Sequence, residues 1–423
     1  MFEQQTDAFV NPQRHNPVAP HTQDTKPRIG FLFNHEQAHQ IPHSAPILAA
    51  LAARNLPVEL HAFVSAPGHM AMLERFLPPV LAERVTFTMV EPGRGARVAE
   101  TLTGSALPLK RIGALMRHRA LLARMDILVV PETTSTLLKT HLGLTDTKLV
   151  YTQHGAGDRA VGFKKVIRHF DHVLVAGEKI RDRMKAAGII REGDYSVVGY
   201  PKFDAVPLGG RPKLFENDNP TVLYNPHFHP ALSSWYRDGL NVLEYFAANP
   251  QFNLIFAPHV MLFSRALHAS GKPVRLRRSG GVPARYRKCA NILIDEGSPR
   301  SVDMTYTRAA DIYLGDVSSQ VYEFIATPRP CLFLNSEQAD WHNDPNYSHW
   351  HLGKVLDGTD DLTAHLGATE WHDILYRRRQ LSAFEATFGT APFGGAERAA
   401  TLLAELAGFD AAQSYTPFLN AAE

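Results

Sequence analysis

Short apolar runs punctuate this chain, and a helix-like segment follows most of them. Residues 28–33 (RIGFLF) read as a buried first strand, with a helix over 44–54 behind it. Strands are expected at 58–64, 85–90, 126–131, Lys148–Thr152, 173–176 and 195–199, with helices at 109–125 and 178–187. The stretch 201–220 is dense in Pro, Gly, Asn and Asp and predicts a linker. The alternation then restarts, with strands at 221–224, 252–256, 291–294, 311–314 and Cys331–Leu334 and a helix over Trp235–Ala248. The segment 369–406 is largely helical, with a break at 392–395. Strands that alternate with helices build a parallel sheet covered on both faces. The pattern therefore predicts an α/β chain of two doubly wound, Rossmann-like domains facing a cleft. The expected boundaries are a tail over 1–26, domains over 27–205 and 220–390, a linker over 206–219, and a C-terminal helix and tail over 391–423.

Composition changes this picture little. At 423 residues the chain is too long for one ordinary core. A net charge of +2 argues against a general nucleic-acid binder. The two cysteines, Cys289 and Cys331, make no disulfide or zinc framework and fit a reducing compartment. No run is apolar enough to span a bilayer, and residues 1–26 lack the apolar core of a signal peptide, so a cytoplasmic protein is expected.

In open α/β sheets ligands bind beyond the carboxyl ends of the strands. Four such ends carry chemistry here. Lys148–Thr152 runs into Gln153-His154-Gly155-Ala156-Gly157-Asp158, and a strand-end His beside glycines can face a cleft as a general base. Residues 221–224 lead to Asn225-Pro226-His227-Phe228-His229, and 252–256 to Ala257-Pro258-His259. The strand at 311–314 leads to Gly315-Asp316-Val317-Ser318-Ser319, which opens a helix-like run over 321–326. Amide groups at such a turn, with the Ser318 and Ser319 hydroxyls, suit an anion, and Glu323 a turn later suits a ribose diol. The plain alternatives are a turn histidine at 154 and an ordinary N-capped helix at 318–319. His227 and His229 have no carboxylate partner nearby in sequence, so no metal is assigned.

Two patterns compete for attention. His35-Glu36-Gln37-Ala38-His39 matches the zincin spacing, but it follows a strand directly and runs into Pro42, leaving little room for the helix that spacing needs. It reads instead as the loop after the first strand, with His35, Glu36, His39 and His43 as candidate acceptor contacts. The segment 109–125 is basic and amphipathic and either packs on the sheet or lies on an anionic membrane surface. The basic run 272–288 reads as a loop open to phosphates or lipid head groups.

The order strand–His–Gly, strand–Pro, strand–Pro–His and Asp-x-Ser-Ser resembles the CDP-glycerol glycerophosphotransferases of teichoic acid synthesis. The resemblance spans residues 149–403 and includes Pro330-Cys331-Leu332-Phe333-Leu334 and Phe393-Gly394-Gly395-Ala396-Glu397-Arg398. Three departures stand out: Glu323 replaces an Asp, His227-Phe228 replace a Thr-Trp pair, and Pro258-His259 reverse the family order. The resemblance implies a GT-B fold and a CDP-linked donor whose glycerol phosphate, or similar phospho-alditol, passes to a hydroxyl acceptor, lipid-linked or glycan. It makes His154 the general base and His259 the residue that holds the pyrophosphate. Ser318 and Ser319 would hold the donor phosphates and Glu323 the ribose. Asn225 and His227 join the donor-binding set, as does Asp316, whose alternative role is to cap the following helix and orient the serines. No cofactor is implied, and the protein would sit in the cytoplasm, peripheral on the membrane. Alternatives on the same fold are a glycosyltransferase using a UDP- or CDP-sugar, a UDP-N-acetylglucosamine 2-epimerase-like enzyme, and a catalytically dead nucleotide-sugar module. No acidic cluster in the first domain supports the epimerase at this level.

Overall fold

The computed structural model describes residues 26–35, 38–102, 108–206, 210–271, 273–367 and 369–410. Strands β1 (Arg28–Phe33), β2 (Glu59–Val64), β3 (Val85–Met89), β4 (Ile127–Val130), β5 (Lys148–Thr152), β6 (His172–Val175) and β7 (Tyr195–Val197) form the first sheet. Its order is β3-β2-β1-β4-β5-β6-β7, and every pairing is parallel. The second domain contributes β8 (Thr221–Asn225), β9 (Asn253–Phe256), a separate hairpin β10 (Leu267–Gly271) and β11 (Val274–Arg278), then β12 (Ile292–Ile294), β13 (Ile312–Gly315), β14 (Cys331–Leu334) and β15 (Lys354–Leu356). Its parallel sheet runs β12-β9-β8-β13-β14-β15. The fold class read from the sequence is the one observed.

Alternation decides which residues enter which layer. Ile29, Phe31, Ile127 and Val129 pack into the core on one face of the first sheet, while Leu32, Leu128, Val130 and Tyr151 pack into the core on the other. The second sheet divides in the same way, with Leu223, Ile255 and Phe333 on one side and Val222, Leu254, Leu314 and Leu332 on the other. Central strands buried on both faces are why the sequence shows unbroken apolar runs. Strand order reverses at β1/β4 and at β8/β13, so each sheet opens a crevice at the ends of those strands.

The chain crosses back at its end. Helix Gly395–Leu406 leaves the second domain and packs on helix Ala45–Ala52, with Ala396, Ala399, Ala400 and Leu403 inside the first core. Asp204 takes the amides of Gly394 and Ala396, both at 2.6 Å. Pro201–Asp204 is itself one helical turn of the first domain. The turn-rich stretch therefore holds a structured start, and residues 210–220 run without helix or strand.

Three local expectations are corrected. The helix expected over 109–125 breaks at His118 into Leu109–Arg117 and Arg119–Leu122. The basic run expected to be a loop contributes β11, paired antiparallel with β10. The helix after the serines is only Gln320–Phe324, so little macrodipole stands behind that turn.

Candidate active site

A cavity of about 410 Å³ lies between the carboxyl ends of the two sheets, a size that suits a small ligand. Strand-end residues from both domains reach it, including His154, His227, His259, Ser318 and Ser319. His154 stands just beyond β5, with Nδ1 2.7 Å from the Pro131 carbonyl oxygen. A carbonyl only accepts, so Nδ1 carries the proton and the ring's lone pair is at Nε2. The ring is open to the cleft but surrounded by protein, and removal from bulk water lowers its pKa against the pull of that carbonyl.

His259, beyond β9, has the opposite tautomer. Its Nδ1 accepts the Met261 amide at 3.2 Å, which places the proton on Nε2. Burial, with Arg159 and His154 nearby, pushes its pKa down to about 3, so it stays a neutral donor. One wall thus offers a proton acceptor and the other a hydrogen-bond donor.

His227 lies between His259 and Arg159. Its ring centre is 5.1 Å from that of His259, its Nδ1 accepts the His229 amide at 2.9 Å, and its Nε2 is 2.7 Å from the Arg159 guanidinium. Whichever nitrogen holds the proton, one N–H faces another donor. An anion bridging Arg159 and His227 would satisfy both. Burial first, then Arg159, holds the His227 pKa well below the usual value. Arg159 and Lys164 both line the cavity and form no ion pair of their own among the described residues. Of the remaining charges in the wall, Lys202 is paired with Glu323, Asp158 with Lys179 and Arg111 with Glu132.

Asp316 and Asn225 lie beneath the cavity, and neither lines it. The Asp316 carboxylate accepts the amides of His227 (2.9 Å), Ser234 (2.6 Å) and Val317 (2.6 Å) and the Ser234 hydroxyl (2.8 Å). It therefore ties the loop after β8 to the loop after β13. Burial pushes its pKa up to about 6 against these donors. Asn225 donates to the Ala257 carbonyl at 2.6 Å and braces β8 against β9. Both residues brace the loops of the second domain from beneath the cavity.

The serine turn meets the His-Gly loop across the cleft. A Cβ built on Gly157 would come within 2.9 Å of the Ser319 Cβ, and one on Gly155, where φ is +81°, within 3.0 Å of the Ser319 Oγ. The glycines are there because the two domains approach closely. The Ser318 Oγ accepts the Gln320 amide at 3.3 Å, and its hydroxyl also meets the buried Tyr313 side chain.

Two buried polar latches hold this closure. Both Glu323 oxygens bind the Lys202 ammonium, at 2.7 and 2.8 Å, and Oε1 also accepts the Tyr200 hydroxyl at 3.0 Å. Asp158 of the first domain takes Lys179 at 2.5 Å and, from the second domain, the Tyr322 hydroxyl at 2.7 Å and His349 Nδ1 at 3.2 Å. Burial raises the Asp158 pKa, but His349 and Lys179 outweigh it and bring it down to about 2. Glu323, expected as a ribose anchor, thus has its carboxylate in an interdomain ion pair at the cavity wall.

Of the loop after β1, His43 lines the cavity with its ring 5.4 Å from that of Tyr200. His35 instead packs on His69, at 4.6 Å between ring centres, and is not part of the lining. Glu36 and the side chain of His39 lie outside the described residues. Residues 38–43 form a 3-10 helix, the wrong geometry for two ligands on one α-helical face. Sequence reasoning missed Arg159, Lys202, His349 and Glu132. Arg159 was the most findable, a cation in the same glycine-rich loop as His154. Glu132, just beyond β4, puts an acid in the first-domain wall after all, and burial raises its pKa. Its oxygens are taken up by the Thr134 amide at 2.5 Å and by the Ser135 amide and hydroxyl, with the Arg111 guanidinium 3.9 Å away.

Seven parallel strands facing six across a cleft, with strand-end residues converging there, define a GT-B-like fold. Comparison with solved structures agrees. The chain superposes on a Listeria monocytogenes protein assigned as a UDP-N-acetylglucosamine 2-epimerase, with TM-score 0.58 and 14% identity over 93% of this chain and 100% of the other. It matches the wall teichoic acid polymerase TagF soaked with CDPG at TM-score 0.55 and 15% identity, over 90% of this chain and 87% of that one. S. aureus MnaA with UDP matches at TM-score 0.56 and 13% identity, over 90% and 96%. No protein-family profile and no curated protein sequence matches the chain. At these identities the shared property is the fold.

Proposed function

We propose that this chain is a transferase that moves a phospho-alditol group, glycerol phosphate in the favoured version, from a CDP-linked donor to a hydroxyl acceptor. The observation that carries this reading is the opposed pair in the cavity: His154 with its lone pair at Nε2, and His259 with its proton there. His154 takes the acceptor's hydroxyl proton as that oxygen attacks the donor β-phosphorus. The bond from the β-phosphorus to the bridging oxygen breaks, and CMP leaves with the electron pair. His259, Arg159, Ser318 and Ser319 hold the charge that gathers on the pyrophosphate. Such transfers depend on positioning and charge stabilisation more than on covalent help.

The TagF structure contains CDPG, and its likeness in fold supports the donor class. A second reading, a UDP-sugar transferase or 2-epimerase-like enzyme, draws on Glu132 in the same wall and on the likeness to MnaA with UDP. A thermal-shift titration with CDP and UDP separates the two. CDP is expected to raise Tm at lower concentration, and a clear preference for UDP overturns the phosphotransferase reading. Among the described residues no helix is long and apolar enough to cross a membrane, so a lipid-linked acceptor would be met at a surface.

A further inference from the structure

The hairpin β10–β11 stands apart from both parallel sheets. Its register opposes Leu267 to Arg278, Ala269 to Leu276 and Gly271 to Val274, so these six share one face. That face looks outward, with Leu267, Leu276 and Val274 47%, 61% and 87% exposed. The other face turns inward, with His268 and Ser270 buried and Arg275 paired with Glu337. A ribbon with one face on the protein ordinarily presents polar residues to water on the other. Here the outer face groups three aliphatic side chains.

Charge is as uneven. Residues 245–294 contain eight Lys or Arg and no Asp or Glu. Arg285 and Arg287 pair with the flanking Glu244 and Glu296, while Arg278 and Lys288 are exposed with no ion pair among the described residues. We propose that this hairpin docks the protein on an anionic phospholipid surface. Val274, Leu276 and Leu267 enter the apolar edge of the layer, and the basic residues meet the head-group phosphates. A soluble polyanion would match the charge but leave the aliphatic side chains in water. A second copy of the same face would bring like charges together.

The hairpin is joined to the cavity. Phe228 packs on both His259 and His268, at 4.7 and 5.8 Å between ring centres. Docking would therefore hold a membrane-borne hydroxyl close to the donor side; this last step rests on the transferase reading, whereas docking itself does not.

The test is co-sedimentation of the full chain, without nucleotide, with vesicles of phosphatidylcholine alone or mixed with phosphatidylglycerol. The protein is expected to sediment with the mixed vesicles and to partition at least about tenfold less onto the neutral ones. The double variant Val274→Asp/Leu276→Asp should lose about tenfold on the mixed vesicles. Arg278→Glu/Lys288→Glu, which alters only exposed charge, should lose comparably. The CDP-induced thermal shift should be unchanged in both variants, which separates docking from the nucleotide site. Equal sedimentation with both vesicle types, or variants that sediment like the parent, overturns the proposal. A concentration-dependent dimer abolished by Val274→Asp/Leu276→Asp, with no vesicle binding, overturns it in favour of a second copy.

Discussion

Replacing Lys202 with Met tests whether the closed cleft depends on its buried ion pair. The Lys202 and Glu323 side chains are only 6% and 5% exposed, and Lys202 serves both carboxylate oxygens. The substitution leaves a buried carboxylate with the Tyr200 hydroxyl as its remaining partner. Breaking a buried pair from one side costs about 3–5 kcal/mol. At roughly 2–4 °C per kcal/mol for a domain of this size, Tm should fall by roughly 6–20 °C. Tyr200→Phe removes one hydrogen bond to a charged group, so its loss should be smaller, about 1.5–3 kcal/mol. The double variant Lys202→Met/Glu323→Leu removes both charges and should recover most of the loss, because apolar replacement of a whole pair is often neutral. Thermal unfolding followed by circular dichroism reads all three. A Lys202→Met variant that loses no more than about 0.5 kcal/mol, the range of a surface change, refutes the latch. Glu323→Gln adds a second readout. If Glu323 also holds the ribose, CDP affinity falls along with Tm, and if it is only a latch, Tm falls alone.

Gly157→Ala places a methyl group 2.9 Å from the Ser319 Cβ, so a loss of about 1–3 kcal/mol is expected by thermal unfolding. Ser319→Gly should relieve it and Ser319→Ala should not, because the opposing atom is the Cβ. Ser318→Ala/Ser319→Ala removes two donors to a charged ligand, worth about 1.5–3 kcal/mol each, and calorimetry should show CDP affinity down more than tenfold. Asp158 has a folded pKa of about 2 against an ordinary 3.8, so its ionised form contributes stability above pH 3.8 that is lost as pH falls towards 2. That depression corresponds to roughly 2 kcal/mol. Urea unfolding of Asp158→Asn should therefore show a deficit of about that size at pH 7 that shrinks towards pH 2.

The sheets and the strand-end residues were legible because central parallel strands are apolar throughout, and ligands in open α/β sheets bind just beyond their carboxyl ends. His154, His259, Ser318 and Ser319 were found by that rule and do share one cavity. Asn225 and Asp316 follow the same rule and still lie beneath it, because a strand-end side chain can turn inward to bind loop amides as well as outward to the cleft. The latches were not legible. Lys202 and Glu323 stand in different domains, and Asp158 meets Tyr322 and His349 across the same domain boundary. Nor was the return of helix Gly395–Leu406 to the first core, since its alanine stripe fits any neighbour of the right shape. The hairpin escaped because His268 and Ser270 face inward, which reverses the usual apolar-inside pattern.

The most direct test is release of CMP from CDP-glycerol, measured with a hydroxyl acceptor across pH for the parent and for His154→Ala. The parent should turn over with its acid limb below pH 6.5, because burial lowers the His154 pKa and keeps the ring neutral there. His154→Ala should turn over at least about 100-fold more slowly, the scale of a lost general base, while binding CDP as the parent does. Undiminished turnover by His154→Ala, or consumption of UDP-linked sugars with CDP-glycerol left intact, would contradict the assignment.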